Sequence, residues 1–485
     1  MKREDLLSKI SDPSKVWDVV VIGGGATGLG VAVDAVTRGY SVALFEWEDF
    51  AKATSSRSTK LVHGGVRYLA QGDVSLVLEA LYERGLLQQN APHLVKNQSF
   101  LIPNYRYWDN FLYTVGLTIY DILAGRLSLG RSKYVSKKKT TSYLPTVRVD
   151  GLKGGVVYHD GQFDDSRLAV NLAQSCVENG GCPINRMKVT AILHGSDGRA
   201  RGVKVQDLMN GQEYEVKAKA VINATGIFVD SIMEMDVPTH EHMVKPSQGV
   251  HLVLDKSFLQ SDYAIMIPKT DDGRVLFAVP WHDKVVVGTT DTLREHPELE
   301  PQALESEIEF ILNTAGRYLT RKPQRSDVLS VFAGLRPLAA PKKEGKSTKE
   351  ISRSHKIFVS ENKLITITGG KWTTYRRMAE DTVDKAIELN LLEKKACVTK
   401  KFRIHGYQLN PDLNNHLYIY GSDIQAIKTL MQSDPAMAEK LHPKYDYTVA
   451  EVVWAVREEM ALNVEDILAR RVRLLFLDAR VAAEV

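Results

Sequence analysis

The sequence feature that most constrains the fold is an apolar strand followed at once by a glycine-rich turn. Residues Asp18 to Ile22 are too apolar for a half-exposed strand, which is typical of the middle of a parallel sheet. The turn has the spacing GxGxxG, with glycines at Gly23, Gly25 and Gly28. These glycines allow a sharp turn, close approach of a pyrophosphate to the backbone, and close packing of the next helix. The segment therefore predicts a dinucleotide-binding unit.

A helix and a second strand complete this unit. The helix is predicted over Leu29 to Arg38, and the strand from Ser41 to Phe45 leads directly into Glu46. Glu46 follows the first glycine by 23 residues, close to the roughly 20 expected for an acid that hydrogen-bonds a ribose. A carboxylate would repel a 2′-phosphate, so FAD or NAD fits better than NADP. A purely structural glycine turn is disfavoured because strand, turn, helix, strand and acid occur in order.

The residues after Glu46 favour a flavin over a nicotinamide cofactor. Thr54 to Tyr68 concentrates hydroxyls, a histidine, two glycines and arginine in fifteen positions, which suits a chain lying along an extended cofactor. Two later segments bring small residues back to the same region, Asn223 to Gly226 at a strand end and Gly369 to Thr374 before a helix. Discontinuous segments that hold both ends of a cofactor suit FAD.

The order of elements indicates an α/β protein with a Rossmann-like FAD-binding domain, of the type found in glutathione reductase and amino-acid oxidases. Closely spaced β-rich runs after residue 249 predict an antiparallel sheet on the substrate side. The predicted segments are 1–75, 151–240 and 351–395 for the FAD-binding domain, 76–150 for a helical excursion with substrate-side elements, 241–350 for the substrate domain, and 396–485 for a C-terminal helical domain.

Composition excludes several classes of protein. The chain has 485 residues and a net charge of +4, too slight an excess for a nucleic-acid-binding surface. The dense basic run from Arg131 to Lys139 is either a solvated loop or a contact with anionic lipid headgroups. Three cysteines without CxxC spacing indicate free thiols in a reducing compartment. His240 and His242 lack a third ligand, so no metal site is predicted.

Membrane-spanning and export segments are also not expected. Met1 to Lys15 is charged and has no apolar core suited to a signal peptide, which predicts a cytoplasmic protein. Phe111 to Leu129 is the most apolar window, but Asp121 and Arg126 interrupt it. This segment is interpreted as an amphipathic helix that packs on the core or lies on a membrane surface.

Several motifs together resemble the FAD-dependent glycerol-3-phosphate dehydrogenases of the aerobic, membrane-associated type. They are the Gly23 to Gly28 turn, Thr54-Ser55-Ser56, Lys60 to Leu69, Asn223 to Gly226, Gly288 to Asp291, Gly334 to Leu338 and Gly369 to Arg376. The likeness covers Val16 to Asp478, with one departure at Trp372, where a smaller aliphatic residue is common. It implies oxidation of sn-glycerol 3-phosphate to dihydroxyacetone phosphate, with electrons passed to a membrane quinone or, in oxidase members, to oxygen.

The resemblance also implies peripheral attachment to the cytoplasmic face of the inner membrane, and it leaves a homodimer open. Related amine- and amino-acid-oxidising flavoenzymes are the alternative. Their carboxylate substrates need less cationic charge than a phosphomonoester, which requires Arg or Lys donors. The hypothesis of a flavoprotein that binds nucleic acid is supported only by the basic run from Arg131 to Lys139.

The candidate site residues follow from these motifs. The predicted cofactor-binding residues are Gly23, Gly25, Ala26, Thr27, Gly28, Glu46, Thr54, Ser55, Ser56, Ser58, Lys60, Leu61, His63, Ala224, Thr225, Gly226, Gly334, Gly370, Lys371 and Thr373. The predicted substrate-binding residues are Arg67, Tyr68, Arg336, Arg353, Lys371 and Thr373, and the predicted catalytic residues are His63, His251, Arg336 and Lys371.

The catalytic roles remain open between these residues. His63 and His251 are both candidates for the base that takes the C2 hydroxyl proton, because histidine titrates near neutrality. Lys371 is a candidate for polarising the flavin C2 carbonyl. The alternatives are that His63 only hydrogen-bonds the flavin or backbone, that Arg336 is a surface turn residue, and that Arg353 is a solvated charge.

Overall fold

The computed structural model describes residues 1–70, 72–268, 270, 273–339 and 354–485, except the side chains of Arg67, Ala70 and Ala339. The strands are β1 Val16–Ile22, β2 Val42–Phe45, β3 Leu61–Val62, β4 Lys96–Asn104, β5 Lys133–Ser136, β6 Gly154–Gln162, β7 Cys182–Ile184, β8 Met187–His194, β9 Ala200–Asp207, β10 Glu213–Asn223, β11 Val244–Asp255, β12 Ala264–Ile267, β13 Leu276–Trp281, β14 Lys284–Gly288, β15 Thr292–Leu293, β16 Val328–Ala339, β17 Lys356–Val359 and β18 Ile365–Thr368. The helices are α1 Arg3–Ile10, α2 Ala26–Thr37, α3 Val66–Ala70, α4 Val74–Asn90, α5 Tyr107–Ala124, α6 Lys137–Tyr143, α7 Asp165–Glu178, α8 Val229–Asp236, α9 Glu305–Gly316, α10 Tyr375–Glu388, α11 Ile424–Ser433, α12 Val449–Glu458, α13 Leu474–Leu477 and α14 Ala479–Glu484.

The first sheet is the predicted Rossmann-like sheet. Its order is β17-β18-β10-β1-β2-β7, with β18, β10, β1, β2 and β7 parallel, and the β8–β9 hairpin extends it beyond β10. Val19, Val20 and Val21 of β1 are fully buried, as the apolar run predicts for a central strand. The helix α2 begins at Ala26, earlier than the predicted Leu29, because the GxGxxG turn leads directly into its first turn.

The second sheet has the order β15-β11-β14-β13-β12-β4-β6-β3, with β16 paired to β11 and β5 paired to β6. The predicted antiparallel substrate sheet is present, and among the strands that the structure describes β12 and β4 pair in parallel. The predicted boundary at residue 151 is wrong for β6, which pairs with β4 and β5 and not with the first sheet. The local sequence of β6 carries no signal for the sheet it joins.

The C-terminal part is helical, as predicted, but its helical structure is interrupted before α13. A wide helical turn covers Asp466–Arg471, and Arg473 has a φ of +65° before α13 begins. This break turns the buried guanidinium of Arg473 toward the first residue of α7, Asp165. The chain near residue 473 therefore reaches the FAD-binding domain.

Four residues far apart in sequence form what we call the Asp165 cluster, Ser58, Lys60, Asp165 and Arg473. One carboxylate oxygen of Asp165 accepts from Ser58 Oγ at 2.7 Å and Lys60 Nζ at 2.6 Å, and the other accepts from Arg473 at 3.0 Å. The Asp165, Lys60 and Arg473 side chains are at most 1% exposed. Two buried cations thus share one carboxylate, which holds residues 58–60 against the C-terminal domain.

The helix α5 has an unusual apolar face. Its inner residues Leu117 and Tyr120 are buried. Its outer residues form what we call the α5 apolar face: Tyr107, Trp108, Phe111, Leu112, Val115, Ile119 and Ile122, each at least 44% exposed. Within the part of the chain that the structure describes, no helix combines the length and apolar character needed to cross a membrane. The polar, lysine-rich sequence of Pro341 to Glu350 predicts an exposed loop, but these residues lie outside the described ones.

The Asp165 cluster predicts a large loss of stability on removing its charge. Asp165→Asn keeps the shape of the side chain but removes the carboxylate that pairs with both Lys60 and Arg473, so that among the described residues only Asp164, 3.7 Å from Arg473, still offsets their charge. We expect the free energy of unfolding to fall by about 3–5 kcal/mol. Thermal unfolding of this variant is compared with that of the control Asp150→Asn. Asp150 pairs with Arg148 at 3.4 Å and is 86% exposed, so losing this ion pair should lower the free energy of unfolding by under about 1 kcal/mol. Equal shifts in the two variants would contradict the role given to the cluster.

Candidate active site

A cavity of about 810 Å³ is lined by residues of both sheets. The three segments expected to converge, Gly23 to Tyr68, Asn223 to Gly226 and Gly369 to Thr374, all contribute residues to it. Each comes from the carboxyl end of a parallel strand of the first sheet or from the chain that follows it. Ligands of open α/β sheets bind at this edge, so the sheet topology brings the motifs together.

The glycine turn is shaped for close approach of its neighbours. Gly23 has a φ of +106°, and a Cβ placed there would lie 2.8 Å from the carbonyl oxygen of Ala224. A Cβ on Gly28 would lie 1.9 Å from the carbonyl oxygen of Gly23, so α2 packs too tightly on the turn for any side chain. Gly25 faces the cavity and is the N-cap residue of α2, whose N-terminus favours an anion.

Glu46 lies on the cavity wall with its carboxylate held by backbone. The N–H of Gly24 donates to it at 2.6 Å, and the N–H of Glu48 donates at 2.7 Å. Burial raises the pKa of Glu46 to about 7, although these two donors oppose the shift. The two backbone hydrogen bonds fix the Glu46 side chain on the cavity wall, where its oxygens can also accept from ribose hydroxyls. With the glycine turn and the size of the cavity, this donor and acceptor set fits FAD.

The hydroxyls after Glu46 mainly fasten the chain to itself. Ser55 Oγ accepts from the N–H of Ala26 at 2.9 Å, and Thr54 Oγ1 donates to the carbonyl oxygen of Leu335 at 2.7 Å. The indole N–H of Trp372 donates to the carbonyl oxygen of Ser55 at 2.8 Å. The unusual tryptophan at this position therefore ties the third segment to the first.

Three of the predicted cofactor-binding residues do not line the cavity, namely Gly28, Ser56 and Lys60. Lys60 was expected to reach the cofactor, but its ammonium group donates to Asp165 and to the carbonyl oxygen of Ser56. Burial and the nearby Arg473 lower the pKa of Lys60 to about 7, against the opposing effect of Asp165. The sequence reasoning missed Asp165 and Arg473 because they lie more than 100 residues downstream in segments without a motif. The other predicted cofactor residues all line the cavity.

His63 lies on the cavity wall in a segment held by the third motif. Its backbone N–H donates to Thr373 Oγ1 at 3.2 Å. The ammonium group of Lys371 lies 4.0 Å from the ring centroid of Tyr68, and a Cβ on Gly65 would be 3.5 Å from it. The structure thus gathers His63, Tyr68, Lys371 and Thr373 on one part of the wall. The side chain of Arg67 and all of Arg353, two further predicted substrate residues, lie outside the described residues.

His251 is more enclosed than His63. Its ring is 2% exposed and stacks on Phe332 with a centroid distance of 4.9 Å. Its Nε2 shares a hydrogen bond of 2.9 Å with Thr59 Oγ1. Burial, helped by the positive charges of Arg336 and Lys60, holds the pKa of His251 well below its usual range. The imidazole is therefore neutral at physiological pH.

Arg336 is a fixed cation on the cavity wall and not a surface turn residue. It lies within β16, where its guanidinium donates to Thr289 Oγ1 at 2.9 Å and to the carbonyl oxygen of Thr290 at 3.1 Å. A Cβ on Gly249 would lie 2.3 Å from the guanidinium, so a side chain there would displace Arg336 from this position. Arg274 also lines the cavity, and its guanidinium lies 5.7 Å from the Phe310 ring centroid. No sequence motif pointed to Arg274.

Residues 18–376 match the family model described as FAD dependent oxidoreductase, and residues 361–485 match the C-terminal domain of alpha-glycerophosphate oxidase. The chain is 40% identical over 547 residues to the mitochondrial glycerol-3-phosphate dehydrogenase of Schizosaccharomyces pombe, covering 99% of this chain and 84% of that protein. It is 39% identical over 514 residues to the probable mitochondrial glycerol-3-phosphate dehydrogenase of Caenorhabditis elegans, covering 100% of this chain and 71% of that one.

A solved structure gives the same relationship. The glycerol-3-phosphate dehydrogenase from Bacillus halodurans complexed with FAD superposes with a TM-score of 0.79 at 30% identity, covering 100% of this chain and 90% of that one. The fold is also shared with the FAD-bound L-alpha-glycerophosphate oxidase from Mycoplasma pneumoniae, with a TM-score of 0.62 at 18% identity, covering 81% and 99%. The predicted fold class, cofactor and family resemblance are confirmed. The chain therefore belongs to the FAD-dependent oxidoreductase family, within its group of glycerol-3-phosphate dehydrogenases.

Proposed function

We propose that this protein oxidises sn-glycerol 3-phosphate to dihydroxyacetone phosphate by hydride transfer from C2 of the substrate to flavin N5. FAD, when bound, supplies the hydride acceptor. The observation that carries the proposal is that one cavity contains both the ribose-type acid Glu46 and the fixed cation Arg336. A ligand with a phosphomonoester needs such a cation, whereas the amino-acid substrates of related flavoenzymes need less positive charge.

Arg336 is the proposed principal ligand of the substrate phosphate. Its hydrogen bonds to Thr289 and Thr290 hold the guanidinium plane before substrate arrives, which lowers the entropy lost on binding. Lys371 and Arg274 add positive charge to the same cavity wall. Tyr68 packs its ring against the Lys371 ammonium group and limits the positions that Lys371 can adopt.

His63 is the proposed base for the C2 hydroxyl proton. Its side chain is half-buried on the cavity wall, and Thr373 fixes its backbone. His251 is stacked on Phe332 and hydrogen-bonded to Thr59, so we assign it a supporting role beside Arg336. Since this neutral imidazole adds no charge to its buried surroundings, it does not compete with Arg336 for the phosphate.

Anaerobic reduction of the bound flavin tests the substrate. Glycerol 3-phosphate is expected to bleach the visible flavin absorbance, whereas glycerol and glycine at equal concentration are expected to leave it unchanged. Arg336→Met should raise the half-saturating concentration of glycerol 3-phosphate at least about tenfold, because a charge-assisted bidentate contact is lost. A matched Arg321→Met variant, at a 60% exposed side chain, should behave as wild type. Bleaching by glycine alone would move the assignment to the amine-oxidising flavoenzymes.

The two histidines are separated by their effect on the limiting rate of flavin reduction. His63→Gln is expected to lower this rate by about 10²-fold or more, because a general base contributes about that much. His251→Gln is expected to lower it less. Stopped-flow spectroscopy at saturating glycerol 3-phosphate provides both rates, and flavin content checks that each variant holds its cofactor. The reverse order would make His251 the base.

We further propose a membrane quinone as electron acceptor, with peripheral attachment at the cytoplasmic face of the membrane through the α5 apolar face. These seven side chains recur at helical spacing on one side of α5, which is the pattern of a helix lying in the bilayer interface. The basic run beside it is solvent-exposed at Arg131, Lys133 and Lys137 to Lys139, where it can attract anionic headgroups. A hydrogen bond from the backbone of Ser132 to Asp121 fixes this run next to α5.

The double variant Phe111→Ser and Ile122→Ser tests this attachment. In a sedimentation assay, its affinity for vesicles containing phosphatidylglycerol should be at least about tenfold lower, since two large apolar side chains are lost from the interface. Its reduction of a long-chain quinone in those vesicles should fall, while reduction of a water-soluble dye is unchanged. The control, Leu409→Ser with Leu413→Ser, alters two other exposed apolar residues. Peroxide formation at the full turnover rate would instead identify an oxidase.

A further inference from the structure

A buried chain of hydrogen bonds connects α5 to the segment that carries His63. The backbone N–H of Gly64 donates to Tyr120 Oη at 2.8 Å, and Tyr120 Oη donates to Asp160 Oδ2 at 2.7 Å. The other Asp160 oxygen accepts from Arg84 at 2.7 Å. Tyr120, Asp160 and Arg84 are at most 2% exposed. The hydrogen bonds of Tyr120 and Asp160 therefore join four elements, α4, α5, β6 and the loop after β3.

The direction of these bonds is determined by charge. Burial and the neighbouring Asp160 carboxylate raise the pKa of Tyr120 well above its usual range, so the phenol keeps its proton. The proton is donated to the acceptor-only carboxylate of Asp160, which leaves the phenol oxygen free to accept from the Gly64 N–H. Arg84 offsets the charge of Asp160, so the carboxylate is not left buried alone.

The packing around Gly64 leaves no room for a side chain. A Cβ placed on Gly64 would lie 2.5 Å from Tyr120 Oη and 2.6 Å from Leu81 Cδ2. On the other side of the same segment, Thr373 accepts from the His63 N–H. Gly65 follows with a φ of +80°, which turns the chain along the cavity wall. Two side chains from different domains thus fix consecutive peptide groups of the segment that carries His63.

We propose that Tyr120 is a positioning residue for oxidation of glycerol 3-phosphate, because it holds residues 63–65 at the place from which His63 reaches the substrate. Tyr120 itself does not line the cavity, whereas Asp160 does. Its effect is therefore transmitted through the Gly64 peptide group. The inference rests on the proposed function, which assigns His63 as the base.

The variant Tyr120→Phe tests this role in the flavin-loaded enzyme. It leaves the Gly64 N–H and the Asp160 Oδ2 atom without their shared partner but keeps the aromatic ring that packs against Val77 and Leu81. The limiting rate of flavin reduction by glycerol 3-phosphate should fall at least about tenfold, since misplacing a catalytic group by about 1 Å can cost 10²-fold. The half-saturating concentration should change less than about threefold, because Arg336 is untouched.

Hydrogen–deuterium exchange supplies a readout independent of activity. In Tyr120→Phe, backbone amides of residues 61–66 should exchange at least about tenfold faster, while those of the β1 and β2 peptides are unchanged. The matched control is Tyr113→Phe, which removes a hydroxyl from the same helix at a half-buried tyrosine. It should retain wild-type exchange and rate.

The possible outcomes separate a failure of the positioning role of Tyr120 from a failure of the proposed function. If the wild-type flavin is not reduced by glycerol 3-phosphate, the proposed function fails, whatever the exchange data show. If the wild type is reduced and Tyr120→Phe matches Tyr113→Phe in both rate and exchange, the positioning role is overturned. A lower melting temperature for Tyr120→Phe with an unchanged limiting rate and unchanged exchange at 61–66 would also overturn it, since Tyr120 would then be only a stability residue.

Discussion

The arrangement of the active site depends on a single buried carboxylate, that of Asp165. It lies at the N-terminus of α7 and binds Ser58 and Lys60 from the segment along the cavity and Arg473 from the C-terminal domain. Without it, the two buried cations would repel each other and, of the described residues, only Asp164, 3.7 Å from Arg473, would offset their desolvation. The C-terminal domain therefore contributes directly to the structure around the cavity. Its residue Arg473 supplies one of the charges that hold residues 58–60 in place.

The segment from Gly23 to Tyr68 combines two kinds of contact. Glycines and Glu46 shape the cavity wall, whereas most hydroxyls between Thr54 and Ser58 bond to other parts of the protein. Further along, Thr373 holds the backbone of His63 and Tyr120 holds that of Gly64. Preorganisation of this kind fixes the reactive geometry before substrate binds, so less binding energy is lost in ordering the site.

Much of the fold could be predicted from local signals. The apolar strand β1, the glycine turn and the acid at Glu46 lie within about thirty residues of one another, and together they form the local pattern of a dinucleotide-binding unit. The membership of β6 in the second sheet could not be predicted, since the sequence of a single strand does not indicate which distant strand it pairs with. Lys60 was misassigned for a related reason. A lysine inside a cofactor motif is expected to face the ligand, and the carboxylate that captures it lies 105 residues away. Arg274 was missed because a single cation in a turn has no periodicity or spacing.

The account requires that the phosphate of the substrate binds at Arg336 in the same cavity that holds the flavin. The most direct measurement is a crystal structure of the FAD-loaded protein with glycerol 3-phosphate or dihydroxyacetone phosphate bound. We predict phosphate oxygens within hydrogen-bonding distance of the Arg336 guanidinium, with C2 facing His63. Phosphate density elsewhere, with the Arg336 guanidinium still bonded to Thr289 and Thr290 and not to the ligand, would contradict the assignment of this cavity as the site of glycerol 3-phosphate oxidation.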